Sequence, residues 1–148
     1  MTLTMSEIES LSQKINQEIR VRASLETTFA ALLEELGPYS QLPDGTPMQM
    51  KIEPWPGGRW IRDLGDDNGH YWGTVQAIKK PTLLEISGPL FMSYPVVNNV
   101  QYRLSQDGDE TLITFCHAGF GLISEDHRKG VTGGWNSIHE RVRKRAEK

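Results

Sequence analysis

Between Met48 and Phe120 the chain keeps repeating one pattern: apolar and polar side chains alternate for a few residues, and then proline, glycine, Asn-Gly or Asp-Gly cuts the run. A period of two is that of a strand with one buried face, so this stretch is constrained to a series of short antiparallel strands. Met48, Met50 and Ile52 alternate with Gln49, Lys51 and Glu53 until Pro54, Pro56 and Gly57-Gly58 stop the run, because proline removes ladder donors and glycine permits a reversal. RWIRDL and HYWGTVQAI flank GDDNG, where Asn68-Gly69 signals a hairpin. LLEIS carries Leu84 and Ile86 on one side and ends at Gly88-Pro89, followed by the apolar connection PLFMSYP. Val100, Tyr102 and Leu104 alternate with Asn99, Gln101 and Arg103, and Asp107-Gly108 turns the chain into TLITFCHAGF, whose Ile113, Phe115 and His117 are expected inward.

The flanking segments have different periods. In KINQEIRVRA, Ile15, Gln17, Ile19 and Val21 share a parity, which predicts a first strand. Ser24 then suits a helix N-cap, with Glu26 in the first turn. Phe29, Leu32, Leu33 and Leu36 recur at helical spacing until Gly37-Pro38. PYSQLPDGTP can sustain neither period and reads as a loop. A long closing helix is expected from near Ser124, with Glu125 and Asp126 at its start and ERVRKRAEK at its end. Val131, Trp135, Ile138 and Val142 form one face of it. Gly130, Gly133 and Gly134 weaken its first turns by up to about 1 kcal/mol each relative to alanine, so packing is expected to hold them. Strand, helix, several antiparallel strands and a long terminal helix describe an α+β protein whose curved antiparallel β-sheet wraps the C-terminal helix. Residues 15–148 are expected to form this domain, with 1–14 as an N-terminal arm or short helix.

The hairpin predicts which side chains share a face. A two-residue loop at Asn68-Gly69 and a four-residue loop from Asp66 to Gly69 give the same parity. Trp60, Arg62, Leu64, Tyr71, Gly73, Val75 and Ala77 fall on one side, and Arg59, Ile61, Asp63, Trp72, Thr74 and Gln76 on the other. The first set is the more apolar and is expected inward, taking Arg62 with it. Trp72 is then expected on the outer surface, where an exposed indole argues for self-association as a homodimer.

Bulk properties exclude several functions. At 148 residues the chain has the size of one domain. A net charge of -3 gives no general attraction to nucleic acid or anionic membrane. Cys116 stands alone, which excludes an intrachain disulfide and fits a reducing, cytoplasmic compartment. The start MTLTMSEIESLSQ lacks the basic and apolar regions of a secretory signal, and no stretch reaches the roughly 18 apolar residues of a membrane span. His70, His117, His127 and His139 form no metal-binding spacing, and the glycines form neither a phosphate loop nor a dinucleotide fingerprint. No metal or cofactor is therefore expected.

The PGGRW turn, the GTVQAIKKPTLLEIS unit, the TLITFCHAGF strand and Gly134-Trp135 follow one another in an order that resembles the START-like helix-grip superfamily. The likeness, from about Asn16 to Val142, is to relatives of the C-terminal domain of the activator of heat-shock protein 90 ATPase. Two departures stand out: His139 occupies a position where relatives usually carry leucine, and the early loop lacks their tryptophan-rich segment. The resemblance implies a cavity between sheet and terminal helix that takes apolar small molecules. Its expected walls are Phe29, Leu33, Met48, Met50, Trp60, Arg62, Val75, Ile86, Val100, Tyr102, Phe115, His117, Trp135, Ile138 and His139, with Trp55 at the rim. The same residues would serve equally as a filled core. An inward Arg62 would either clamp a carboxylate or phosphate or form an internal salt bridge. His117 and His139, with Tyr102, would act as general acid or base or as hydrogen-bonded structural groups. The expected function is binding of a small apolar or amphipathic ligand, with no catalytic residue assigned. The alternatives are an enzyme similar to polyketide cyclases and dehydrases of the superfamily, or a chaperone-interacting protein. The resemblance reaches only the activator's C-terminal domain, so stimulation of a chaperone ATPase does not carry over.

Overall fold

A computed structural model describes residues 2–148. The chain opens with a short helix, α1 (Met5–Ser10), held by a capping box in which Thr4 and Glu7 satisfy each other's backbone N–H groups. Strand β1 (Ser12–Val21) leads to α2 (Leu25–Leu36), where the Ser24 hydroxyl accepts from the Thr27 N–H. Helix α2 buries Phe29, Leu32 and Leu36 and stops at Gly37, where a Cβ would stand 2.8 Å from the Leu33 carbonyl oxygen. Strands β2 (Met50–Ile52), β3 (Arg59–Gly65), β4 (Asn68–Lys79), β5 (Leu83–Gly88), β6 (Val96–Asp107) and β7 (Glu110–Gly121) follow. The chain closes with α3 (Glu125–Ala146), capped by Ser124, with acids in its first turn and Arg143, Lys144 and Arg145 in its last.

The strands form one antiparallel sheet in the order β1-β7-β6-β5-β4-β3-β2. Strand β1 pairs with β7 along its whole length, so its N-terminal position in the chain becomes one edge of the sheet and β2 the other. Alternation along β6 and β7 sends Val100, Tyr102, Leu104, Ile113, Phe115 and His117 to the face that α3 covers with Val131, Trp135, His139 and Val142. Each large apolar side chain buried there contributes roughly 1.5–3 kcal/mol. This is the α+β helix-grip architecture.

The β3–β4 hairpin departs from the sequence expectation. Its turn is Asp66-Asp67, both in the left-handed region (φ 54° and 60°), and Gly65 pairs with Asn68; Asn68-Gly69 already belongs to β4. Trp60 pairs with Gly73 but Ile61 pairs with Tyr71, so Trp72 is an extra residue in a β-bulge. One inserted residue moves every side chain beyond it to the opposite face. Trp72 is therefore buried, only 8% exposed, and meets Trp60 edge to face at 5.0 Å, whereas Tyr71 and Leu64, expected inward, are 45% and 50% exposed. A second irregularity at Gln76 pairs Ala77 with Glu85 and hands the inward place to Ile78. Two glycines permit the bulge: a Cβ on Gly88 would lie 2.5 Å from both the Gly73 Cα and the Trp72 carbonyl oxygen. With Trp72 inside, the exposed indole that argued for self-association is gone.

Candidate functional site

The bulge, the loop before β2 and the first half of α3 border a half-open cavity of about 470 Å³ with mostly apolar walls. Trp72 and Phe91 form one wall, their rings 5.8 Å apart. Phe91 continues it to His127 at 5.3 Å, and His127 in turn stacks on Tyr94, whose hydroxyl is hydrogen-bonded to its Nδ1. Helix α3 supplies the opposite wall. Gly130, Gly134 and Ile138 recur at steps of four beside Val131 and Trp135, so a single helix face carries both the apolar contacts and two gaps. A Cβ at Gly130 or Gly134 would meet no atom within 4 Å. Val131 and Trp135 pack these turns against the core, as the sequence led one to expect, and the glycines beside them border open space. Gln41, Leu42, Pro43 and Met48 complete the lining.

Polar groups are few and specifically placed. Arg62 projects from β3 into the cavity and donates from Nε to the Met48 carbonyl oxygen at 3.0 Å. Among the described residues no carboxylate lies within ion-pair distance of its guanidinium. His70, its directly opposed partner on β4, lines the same space. Arg141, by contrast, is fully engaged with Glu35, Ser137 and the Gln41 carbonyl. The buried Trp72 indole Nε1 has no hydrogen-bond partner.

Behind Trp135 lies a buried polar network whose histidines do not line the cavity. The Trp135 indole donates to His117 Nδ1 at 3.0 Å. An indole nitrogen can only donate, so His117 carries its proton on Nε2 and donates it to Asn98 Oδ1 at 2.7 Å. His139 donates from Nδ1 to Gln17 Oε1 at 2.7 Å and accepts at Nε2 from the Tyr102 hydroxyl at 2.9 Å. Burial pushes both imidazoles down from 6.5 to about 4 and the Tyr102 hydroxyl well up. Both histidines are thus neutral at physiological pH.

The expected wall residues separate into three groups. Met48, Arg62, Trp135 and Ile138 line the cavity. Phe29, Met50, Trp60, Val75, Ile86, Val100, Tyr102 and Phe115 instead fill the core, with Leu33 packed against it. Trp60 is anchored there by its N–H donating to the Leu36 carbonyl at 2.8 Å. His117 and His139, 0% and 2% exposed, belong to the buried network and do not line the cavity. The reason is volume: the tilted rings of Tyr102 and Phe115, 4.9 Å apart, together with Trp135 and His139, occupy the middle of the sheet and push the free space toward the β3–β4 end. Sequence reasoning missed Trp72, His70, Phe91 and the Gln41–Pro43 loop. The four-residue spacing of Gly130 and Gly134 was the available clue to an open helix face. Trp55, expected at the rim, is 54% exposed and does not line the cavity.

No helix among the described residues is long and apolar enough to cross a membrane, and none of their His, Cys, Asp and Glu side chains gather in threes as a metal site would require. No curated protein is significantly similar in sequence. Several solved structures share the fold. CalU16 from Micromonospora echinospora is 22% identical, with 91% of this chain and 76% of that one aligned at a TM-score of 0.65. The Mll3558 protein from Rhizobium loti is 18% identical over 90% of this chain and 96% of its own, at 0.70. The Aha1 dimer from Colwellia psychrerythraea is 16% identical over 91% and 96%, at 0.63. The profile of one family, described as Activator of Hsp90 ATPase homolog 1-like protein, matches residues 22–147. That match spans all seven strands but for the first, and both long helices, and on it the chain belongs to the Activator of Hsp90 ATPase homolog 1-like family.

Proposed function

We propose that this protein binds a small apolar or amphipathic molecule in the cavity between α3 and the β3–β4 hairpin. The observation that carries this reading is the pair Gly130 and Gly134. Each costs a helix up to about 1 kcal/mol relative to alanine, and no protein atom needs the room they leave. A volume of about 470 Å³ falls within the range of small-molecule sites, and aromatic walls with few polar groups suit a ligand that is mainly hydrocarbon or ring. Catalysis has less support, since His117 and His139, which the sequence offered for proton transfer, are held in structural hydrogen bonds away from the cavity.

Trp72 and Trp135 line the site, so ligand entry should change tryptophan fluorescence. Titration with a library of lipids and aromatic compounds, checked by native mass spectrometry, is expected to yield a one-to-one binder. Gly134→Leu should fill the cavity and weaken that binder on the order of tenfold or more. Gly133→Leu, on an exposed position that does not line the site, should leave it bound. A library without a binder, or a binder indifferent to Gly134→Leu, would refute the reading.

A further inference from the structure

The geometry points to a ligand that carries a single carboxylate, received by Arg62 and His70, with its apolar body lying along Trp72, Val131 and Trp135. This inference rests on the binding reading above and names the chemistry of the ligand's head.

Glu53 holds Arg59 at 2.8 Å, Asp63 holds Lys51 at 2.7 Å, and Glu35 holds Arg141 and Arg145 at 3.3 and 2.6 Å. Each of these carboxylates already has its cation, and none reaches Arg62. Asp126 lines the same cavity from α3 but does not approach the guanidinium within ion-pair distance. Arg62 is half-buried at the edge between this mainly apolar space and a polar cleft on the hairpin, and on the apolar side a guanidinium without a counter-ion is costly. Its single hydrogen bond, from Nε to the Met48 carbonyl, orients the side chain and leaves both terminal amino groups free. Two parallel N–H groups match the two oxygens of a carboxylate.

His70 strengthens the case by its position. It is the register partner of Arg62, and directly opposed residues on one sheet face bring their Cβ atoms to about 4.5–5.5 Å. Its ring also meets Trp72 edge to face at 6.4 Å, so a head group between Arg62 and His70 would sit next to the aromatic wall. One guanidinium balances one negative charge. A dianionic phosphate would leave charge uncompensated against apolar walls, which favours the monoanion.

The test compares ligands of equal tail: decanoate, decanol and decyltrimethylammonium, titrated at neutral pH by tryptophan fluorescence and calorimetry. In the wild-type protein decanoate should bind on the order of tenfold more tightly than decanol, as a charge-assisted hydrogen-bond pair implies, and the ammonium should bind least. Arg62→Gln should abolish the advantage of decanoate over decanol. Arg62→Lys, which keeps the charge but not the fork, should retain part of it, and circular dichroism would confirm that both variants are folded. Equal binding of decanoate and decanol to the wild type, or an advantage that survives Arg62→Gln, overturns the carboxylate assignment while leaving cavity binding intact. If none of the three compounds and no member of the wider library binds, the cavity reading itself fails and this assignment falls with it.

Discussion

His117 and His139 show how much of this protein is decided by single protons. Each ring has one partner that can only donate or only accept, so one tautomer satisfies the site, and a second proton would have to enter a buried, low-dielectric environment. Their folded values lie near 4 and the unfolded value near 6.5, so the unfolded chain binds more protons between these limits and stability falls as pH falls through that window. At the lower limit each imidazole costs the fold roughly 3 kcal/mol. Urea midpoints should therefore decrease steadily from about pH 6.5 to pH 5, above the range in which most carboxylates titrate. In His117→Gln, which can still donate and accept, the slope should be about halved; an unchanged slope would show that the proton goes elsewhere. The sequence marked His139 as a polar departure on an apolar helix face, but which partner it meets depends on Gln17 and Tyr102, residues 122 and 37 positions away.

At the level of elements, α3 is two helices in mechanical terms. Its C-terminal half is fastened: Arg141 and Arg145 both bind the buried Glu35 of α2, Arg145 also lies over the Tyr39 ring at 4.1 Å, and Arg141 reaches the Gln41 carbonyl. Glu35→Gln should cost about 2 kcal/mol in urea unfolding, below the roughly 3–5 kcal/mol for a fully buried pair because the arginines are 20% and 25% exposed. The N-terminal half carries three glycines at which a Cβ would meet no atom within 4 Å. Gly133→Ala and Gly134→Ala should each stabilise the protein by up to about 1 kcal/mol, but only the second intrudes on the cavity and should also weaken ligand binding. The elements themselves were legible from period and caps: Ser24 and Ser124 both cap as expected, and Val131, Trp135 and Val142 are buried. The β3–β4 bulge was not, because hydropathy alternation in HYWGTVQAI is compatible with a regular ladder. The extra residue is selected by the Gly73–Gly88 approach from the neighbouring strand and by the Trp72 carbonyl accepting from the Leu90 N–H at 2.8 Å.

Across the whole molecule, the closed and open halves of α3 imply a gradient of local stability. Hydrogen exchange in the ligand-free protein should be faster over residues 125–134 than over residues 138–146, since local opening is easiest where few apolar contacts and several glycines coincide. A bound ligand should slow the first segment selectively and raise the unfolding free energy by about 2.7 kcal/mol at a concentration one hundred times its Kd. Uniform exchange along α3 with and without ligand would contradict this picture. Hydrophobic period, turn residues and helix caps were enough to specify an antiparallel sheet gripping a terminal helix, because each acts over a few neighbouring residues and all favour the same architecture. The location of the free space was outside their reach. It depends on large rings from β6, β7 and α3 filling the middle of the sheet, and on one bulged residue turning Trp72 inward. Both outcomes arise from volumes and hydrogen bonds between segments far apart in the chain, which no local pattern encodes.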